Sequence, residues 1–140
     1  RMHTPPRGET IGRGMKVNKE EVLGMMVALE LYLKKDHDKE WKLWEDQIEL
    51  ISNSALAVEG VRTEIHVPKH ANHVPSLRIR WDENKVKITA DEARRQLREG
   101  HPSIQTVGNK TTIGITTWMM TPGQERIVAK RVHEILKSAT

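Results

Sequence analysis

The sequence predicts an α+β domain: an antiparallel sheet of about four strands with helices packed on one face, preceded by a long broken helix. Three observations carry this. The apolar period changes from 3.6 to 2 near residue 61, where helical spacing gives way to alternation. Strand-like stretches come in consecutive pairs, which favours antiparallel pairing and segregated helices. Capping residues at Asn18, Thr89 and Thr121 punctuate the helical stretches.

Residues 1–12 are polar, with Pro5, Pro6, Gly8 and Gly12, and read as an extended connector; the domain runs over 13–140. The first helix opens at Asn18, an N-cap, with Glu21 completing a capping box. Val22, Met25, Met26, Leu29 and Leu33 follow at helical spacing, the paired methionines as adaptable core. Regularity fails around Lys34-Lys35-Asp36-His37, and Asp38 caps a second helix. Its stripe is Trp41, Trp44, Ile48, Ile51 and Ala55, and it ends near Glu59-Gly60 with glycine at C′.

Val61, Thr63, Ile65 and Val67 then alternate with Arg62, Glu64 and His66, and Leu77, Ile79 and Trp81 with Arg78 and Arg80. These are two half-buried strands joined through 68–75, with Leu77, Ile79 and Trp81 facing the helices. Lys85-Val86-Lys87-Ile88 leads to Thr89, which with Glu92 opens a helix that stops at Gly100. Ile104–Val107 and Thr112–Trp118 read as two further strands around Gly108-Asn109. Thr121, Pro122 and Gln124 supply cap, N1 proline and N3 glutamine for the last helix, whose buried stripe is Ile127, Val128, Val132, Ile135 and Leu136.

At 140 residues the chain has room for one real core. It carries 23 basic and 19 acidic residues, interspersed, for a net charge of +4. The single-sign stripe of a nucleic-acid binder is missing, and with four tryptophans, one tyrosine and no phenylalanine, stacking platforms for bases are scarce. The absence of cysteine excludes thiolate chemistry and fits a cytoplasmic protein. No apolar run approaches the roughly 18 residues of a membrane span. Arg1-Met2 reads as an internal or processed edge.

Most constellations have a local explanation. His66, His70 and His73 are too loosely spaced for a metal site and have no acidic partner in their loop, so no metal is assigned. Asp82-Glu83-Asn84 reads as a turn, and Asp91-Glu92 as support for a helix dipole. Gly108-Asn109-Lys110 lacks the spacing of a phosphate loop. Arg94, Arg95 and Arg98 lie on a solvated helix face, and no serine sits in a nucleophile elbow. No catalytic residue is assigned. The informative segment is the glycine-loosened Ile11-Gly12-Arg13-Gly14-Met15-Lys16-Val17, which runs straight into the capped helix. Arg13 and Lys16 stand beside free helix N–H groups, a combination that favours an anion.

Gly12-Arg13-Gly14-Met15-Lys16-Val17-Asn18-Lys19-Glu20-Glu21-Val22 resembles the linker and first minor-domain helix of fold type I pyridoxal-phosphate enzymes, in the selenocysteine synthase-like branch that includes D-glucosaminate-6-phosphate ammonia-lyase-like proteins. Ala71-Asn72-His73-Val74-Pro75 with Leu77–Asp82 is similar to that branch's first hairpin. Thr117–Val128 is similar to its last strand and closing helix. The likeness covers about residues 11–138. It implies the C-terminal minor domain of a larger enzyme. Pyridoxal 5′-phosphate would be bound mainly by a large domain outside this chain, which also holds the Schiff-base lysine; none is assigned here.

In the transferase branch two arginines spaced by three bind anionic substrate groups. Arg13 matches the first, and Lys16 replaces the second, keeping charge without the bidentate fork. The resemblance thus implies elimination or transfer on a phosphorylated amino acid or amino sugar acid. Arg13, Lys16 and His73 are the anion-binding candidates. The isolated chain is expected to be catalytically incomplete, and its parent a homo-oligomer. A seryl-tRNA selenium transferase-type enzyme, and a non-catalytic basic module binding a partner or RNA, are the alternatives.

Overall fold

The computed structural model describes residues 17–70 and 72–140. The chain divides into two compact units, Arg1–Asp36 and His37–Thr140. The connector 1–12 lies outside the described residues.

In the first unit, Lys19–Lys34 forms helix α1. Asn18 is extended (φ −79°, ψ 159°) and makes the expected capping box, its N–H donating to Glu21 Oε2 at 2.9 Å. Lys35 turns extended and stops the helix. The expected buried stripe does not materialise: no α1 residue is buried, and Met25 and Leu33 are 70% and 73% exposed. The cause is legible in the helix itself, where Leu23, Val27 and Leu31 add apolar side chains on a further face, so no single face gathers them.

The second unit opens with α2 (His37–Leu56). Asp38 lies inside its first turn rather than at its cap. Ile48, Ile51 and Ala55 are fully buried as expected, and the tryptophans half-buried. The helix ends at Leu56, short of Gly60. Gly60 (φ 87°) instead occupies a turn closed by Val61 N–H to Val58 C=O at 3.2 Å, with the side chain of Lys85 against its Cα.

That turn delivers β1 (Val61–His66), which pairs antiparallel with β2 (Ser76–Trp81), Thr63 opposite Ile79 and Ile65 opposite Leu77. Leu77 and Ile79 are fully buried and Trp81 packs partly against the core, its Nε1–H on Ile88 C=O at 2.8 Å. Ile65 shares their face but stays half exposed because β1 is an edge strand. Next come α3 (Ala90–Glu99), β3 (Val107–Asn109), β4 (Thr112–Thr116) and α4 (Gln124–Ser138). The sheet order is β1-β2-β4-β3, antiparallel throughout.

Boundaries in this half differ from expectation. β3 begins at Val107, since Ile104 leaves the sheet to bury itself and bond Leu97 C=O. Lys110-Thr111, not Gly108-Asn109, make the turn. Gly108 lies within β3 at φ 140°, where a Cβ would stand 2.1 Å from Thr112 O, so only glycine fits. β4 ends at Thr116. Thr89 caps α3 by accepting from Glu92 N–H (3.2 Å), but the reciprocal carboxylate turns to Arg95 and Gln96. At α4 the N-cap is Gly123 rather than Thr121, whose N–H still donates to Gln124 Oε1 at 3.1 Å. The buried stripe of α4 runs Val128, Ala129, Val132, Ile135 and Leu136, one step from the exposed Ile127.

Helices α2, α3 and α4 bury one face of the sheet in a single core with Leu77, Ile79, Ile113 and Ile115. This is the α+β layer the sequence predicted. Polar ties fix it: Ser52 Oγ to Thr63 Oγ1 at 2.8 Å, Ser54 Oγ–H to Ala129 C=O at 3.0 Å, and Lys87 N–H to Ala139 C=O at 2.7 Å.

Candidate functional site

Within the His37–Thr140 unit no described helix packs on the other face of the sheet, and register decides what that face presents. Arg62 stands opposite Arg80, Glu64 opposite Arg78, and His66 opposite Ser76; Arg78 in turn faces Gly114 on β4, and Ser76 faces Thr116. Alternation along a strand sends all of these to the side away from Leu77 and Ile79. Two shallow basins of about 540 and 550 Å3 lie on this face, and Arg78 lines both. Arg62, Arg80 and Asp82 border the first; His66, His70, Asn72 and Asn109 border the second.

The face has more cation than it neutralises. One carboxylate, Glu64, serves two guanidiniums loosely, Arg78 at 3.7 Å and Arg80 at 3.6 Å. Arg62 has no ion pair among the described residues. Asp82, at the rim, is occupied: it accepts from the N–H and side chain of Asn84 at 2.9 Å each, which hold its carboxyl below the usual range, in the turn the sequence predicted. Lys85 pairs with Glu59 at 2.6 Å, raising the ammonium and lowering the carboxyl. His66 Nδ1 is buried without a partner. Three guanidiniums against Glu64 and the rim carboxylate Asp82, which also feels the charge of Arg62, and an unsatisfied imidazole nitrogen make a face suited to a carboxylate or phosphoryl group, which guanidinium forks bind bidentately.

Of the sequence-predicted site residues, Arg13 and Lys16 lie outside the described residues. His73 is exposed, with its ring 5.7 Å from that of Trp41 and its Nδ1 3.1 Å from Pro68 C=O. A carbonyl only accepts, so Nδ1–H is the donor of this bond. The three histidines therefore part: His66, at the end of β1, and His70 line the second basin, and His73 turns to α2. No group of three potential metal ligands occurs among the described residues. Sequence reasoning passed over Arg62, Arg78 and Arg80 as the polar half of an alternation. Their signal was two strands each carrying cations at outward positions, but only the register joins them, and the eight-residue connection 68–75 does not dictate it.

Pyridoxal phosphate would need a lysine able to give up its proton. Lys85 and Lys42 each border a cavity. Both are raised, Lys85 by its hydrogen bond to Glu59 and Lys42 by its hydrogen bond to Asp46, which is the opposite of what such a lysine needs. The described residues do not fit that cofactor as its anchor. Nor is any helix among them long and apolar enough to cross a membrane.

No family model matches the chain. Over 132 residues, 92% of its length, it is 23% identical to D-glucosaminate-6-phosphate ammonia lyase of Salmonella typhimurium (strain 14028s), and the match takes in 35% of that enzyme, its C-terminal part. A solved structure of a D-glucosaminate-6-phosphate ammonia-lyase superposes with a TM-score of 0.68 at 21% identity, covering 91% of this chain and 34% of that one. The chain thus spans about a third of the length of the relatives it matches. The resemblance carried by the three sequence runs is borne out, and the structural likeness establishes the fold.

Proposed function

We propose that this chain is the C-terminal domain of a cytoplasmic, pyridoxal-phosphate-dependent lyase or transferase of fold type I, in the selenocysteine synthase-like branch. Its substrate is an anionic, phosphorylated amino acid or amino sugar acid, and its reaction is elimination or transfer, ammonia loss being the first choice. The observation that carries the reading is the under-neutralised arginine face on β1 and β2; the similarity to an ammonia lyase supports it. The domain's part is to bind the substrate's anion. The fork of Arg78 holds phosphoryl or carboxylate oxygens, Arg62 and Arg80 add field, and Glu64 spaces the guanidiniums. On the resemblance alone, Arg13 and Lys16 are further candidates for binding the substrate anion, and His73 for a hydrogen-bonding contact. The cofactor, held by a large domain outside this chain, would supply an electron sink. The parent enzyme is a homo-oligomer in this reading.

The test uses the enzyme that carries this domain. Arg78→Ala should lower kcat/KM for the phosphorylated substrate about ten- to a hundredfold, the cost of one charged contact, with cofactor absorbance retained. Arg13→Ala should behave alike and Lys16→Ala more mildly, because an ammonium contact is less directional. Wild-type kcat/KM in both arginine variants overturns the assignment. RNA affinity of the chain that falls steeply with salt would favour the basic-module alternative instead.

A further inference from the structure

Helix α1 is a surface in search of a cover. Counting 3.6 residues per turn, Val22, Met26, Leu29 and Leu33 form one stripe, and Leu23, Val27 and Leu31 form a second about a quarter-turn or more away. Met25 flanks the first stripe on its other side. Every one of these eight side chains is exposed, Val22 least at 48%. A helix that is apolar on several faces belongs inside a larger core or a membrane. It is not a membrane span: the helix has 16 residues, against the roughly 20 a span needs, and carries Lys19, Glu20, Glu21, Glu30 and Lys34. A second copy of α1, packed as a two-helix pair, would cover one stripe and leave the other in water.

The length of the relatives supplies the remaining argument. The match covers 92% of the chain, too much to leave α1 outside it, and it takes in only the C-terminal 35% of the ammonia lyase. The polypeptide just ahead of this helix in such a protein is the other two thirds. We propose that α1 is a core helix of that preceding large domain, docked into it on at least two faces. Gly24 and Ala28 lie on a further side and permit close approach there; nothing stands within 4 Å of a Cβ added at Gly24. This rests on the reading of the chain as part of a larger enzyme, but not on which substrate that enzyme takes.

Hydrogen exchange on the 140-residue chain and on the parent enzyme tests it. In the chain alone, at concentrations where light scattering gives a monomer, α1 amides should exchange at least about a hundredfold faster than those of α2, β2 and β4. In the parent they should be protected to the level of α2. Met26→Asp and Leu31→Asp, one on each stripe, should each reduce the yield of folded parent while leaving the unfolding midpoint of the isolated chain unchanged. Met26→Leu should restore the yield. Strong protection of α1 in the monomeric chain overturns the inference, as does protection that appears only with concentration-dependent dimerisation, or continued fast exchange in the parent. Should α1 be protected in the parent while Arg78→Ala leaves kcat/KM intact, the docking stands and the anion assignment falls.

Discussion

Helix α2 sinks Ile48, Ile51 and Ala55 to full burial and turns Lys42, Glu45 and Glu49 to water. Helix α1, of similar length, carries more large apolar side chains and buries none. A stripe at spacings of three and four is visible in both, so periodicity alone does not separate them. The difference lies in what occupies the other faces. In α2 they are mostly charged or polar, with Leu43 and Leu50 the exposed apolar exceptions, and one orientation against a sheet is favoured. In α1 Leu23, Val27 and Leu31 compete with the first stripe, and no single-sided packing satisfies both. Apolar content thus measures a helix's demand for burial, and the polar remainder shows from how many sides that demand must be met.

The largest expected effect breaks the comparison directly. Ile51→Ala should destabilise the chain by about 2–5 kcal/mol, since a fully buried isoleucine leaves a cavity between α2 and the sheet. Leu29→Ala, on α1, should stay within about 0.5 kcal/mol in the same chain, as exposed substitutions do. Urea denaturation followed by tryptophan fluorescence reads both, because Trp41, Trp44 and Trp81 all lie in the His37–Thr140 unit. Equal losses would mean that α1 contributes to that unit's stability and that its exposure misleads.

A pair of glycines sharpens the same contrast at smaller scale. Gly108→Ala should cost about 1–3 kcal/mol, because φ is 140° and the new Cβ would meet Thr112 O. Gly24→Ala, in mid-helix with open space around it, should instead raise the helicity of α1 in the isolated chain, by about 0.8–1 kcal/mol of propensity. Circular dichroism and denaturation together decide the signs.

What the sequence disclosed follows from the range of the interactions. Element types and the buried pair Leu77 and Ile79 were legible, because alternation and capping act over a few residues. Boundaries at Val107 and Gln124 were not, since tertiary demands overrode local signals: Ile104 is drawn into the core beside Leu97, and Gly123 takes the cap that Thr121 was expected to hold. The arginine face was half legible. Arg62, Arg78 and Arg80 were recognised as outward residues, but the convergence of Arg78 and Arg80 on Glu64 is a fact of register. Arg13 and Lys16 were picked from local chemistry and a family likeness, which need no fold.

The smallest expected effect concerns acid. Glu92 accepts from Arg95 and also from Gln96, and these hydrogen bonds, that from Arg95 first, hold its carboxyl down to about 2 from an ordinary 4.5. A carboxylate with a depressed folded-state value favours folding above its ordinary value, and that contribution drains away as pH falls from about 4.5 towards 2. The site is solvent-exposed, so salt should weaken the effect. Because Glu92 belongs to α3, its titration reports on the His37–Thr140 unit alone. The expected outcome is an unfolding midpoint that drops over this acid range in the wild-type chain and drops less in Glu92→Gln, with the gap narrowing in high salt. If the two chains have parallel acid limbs, the pairing with Arg95 contributes nothing to folding, and the stability of this unit rests on the apolar core that α2 enters and the isolated α1 lacks.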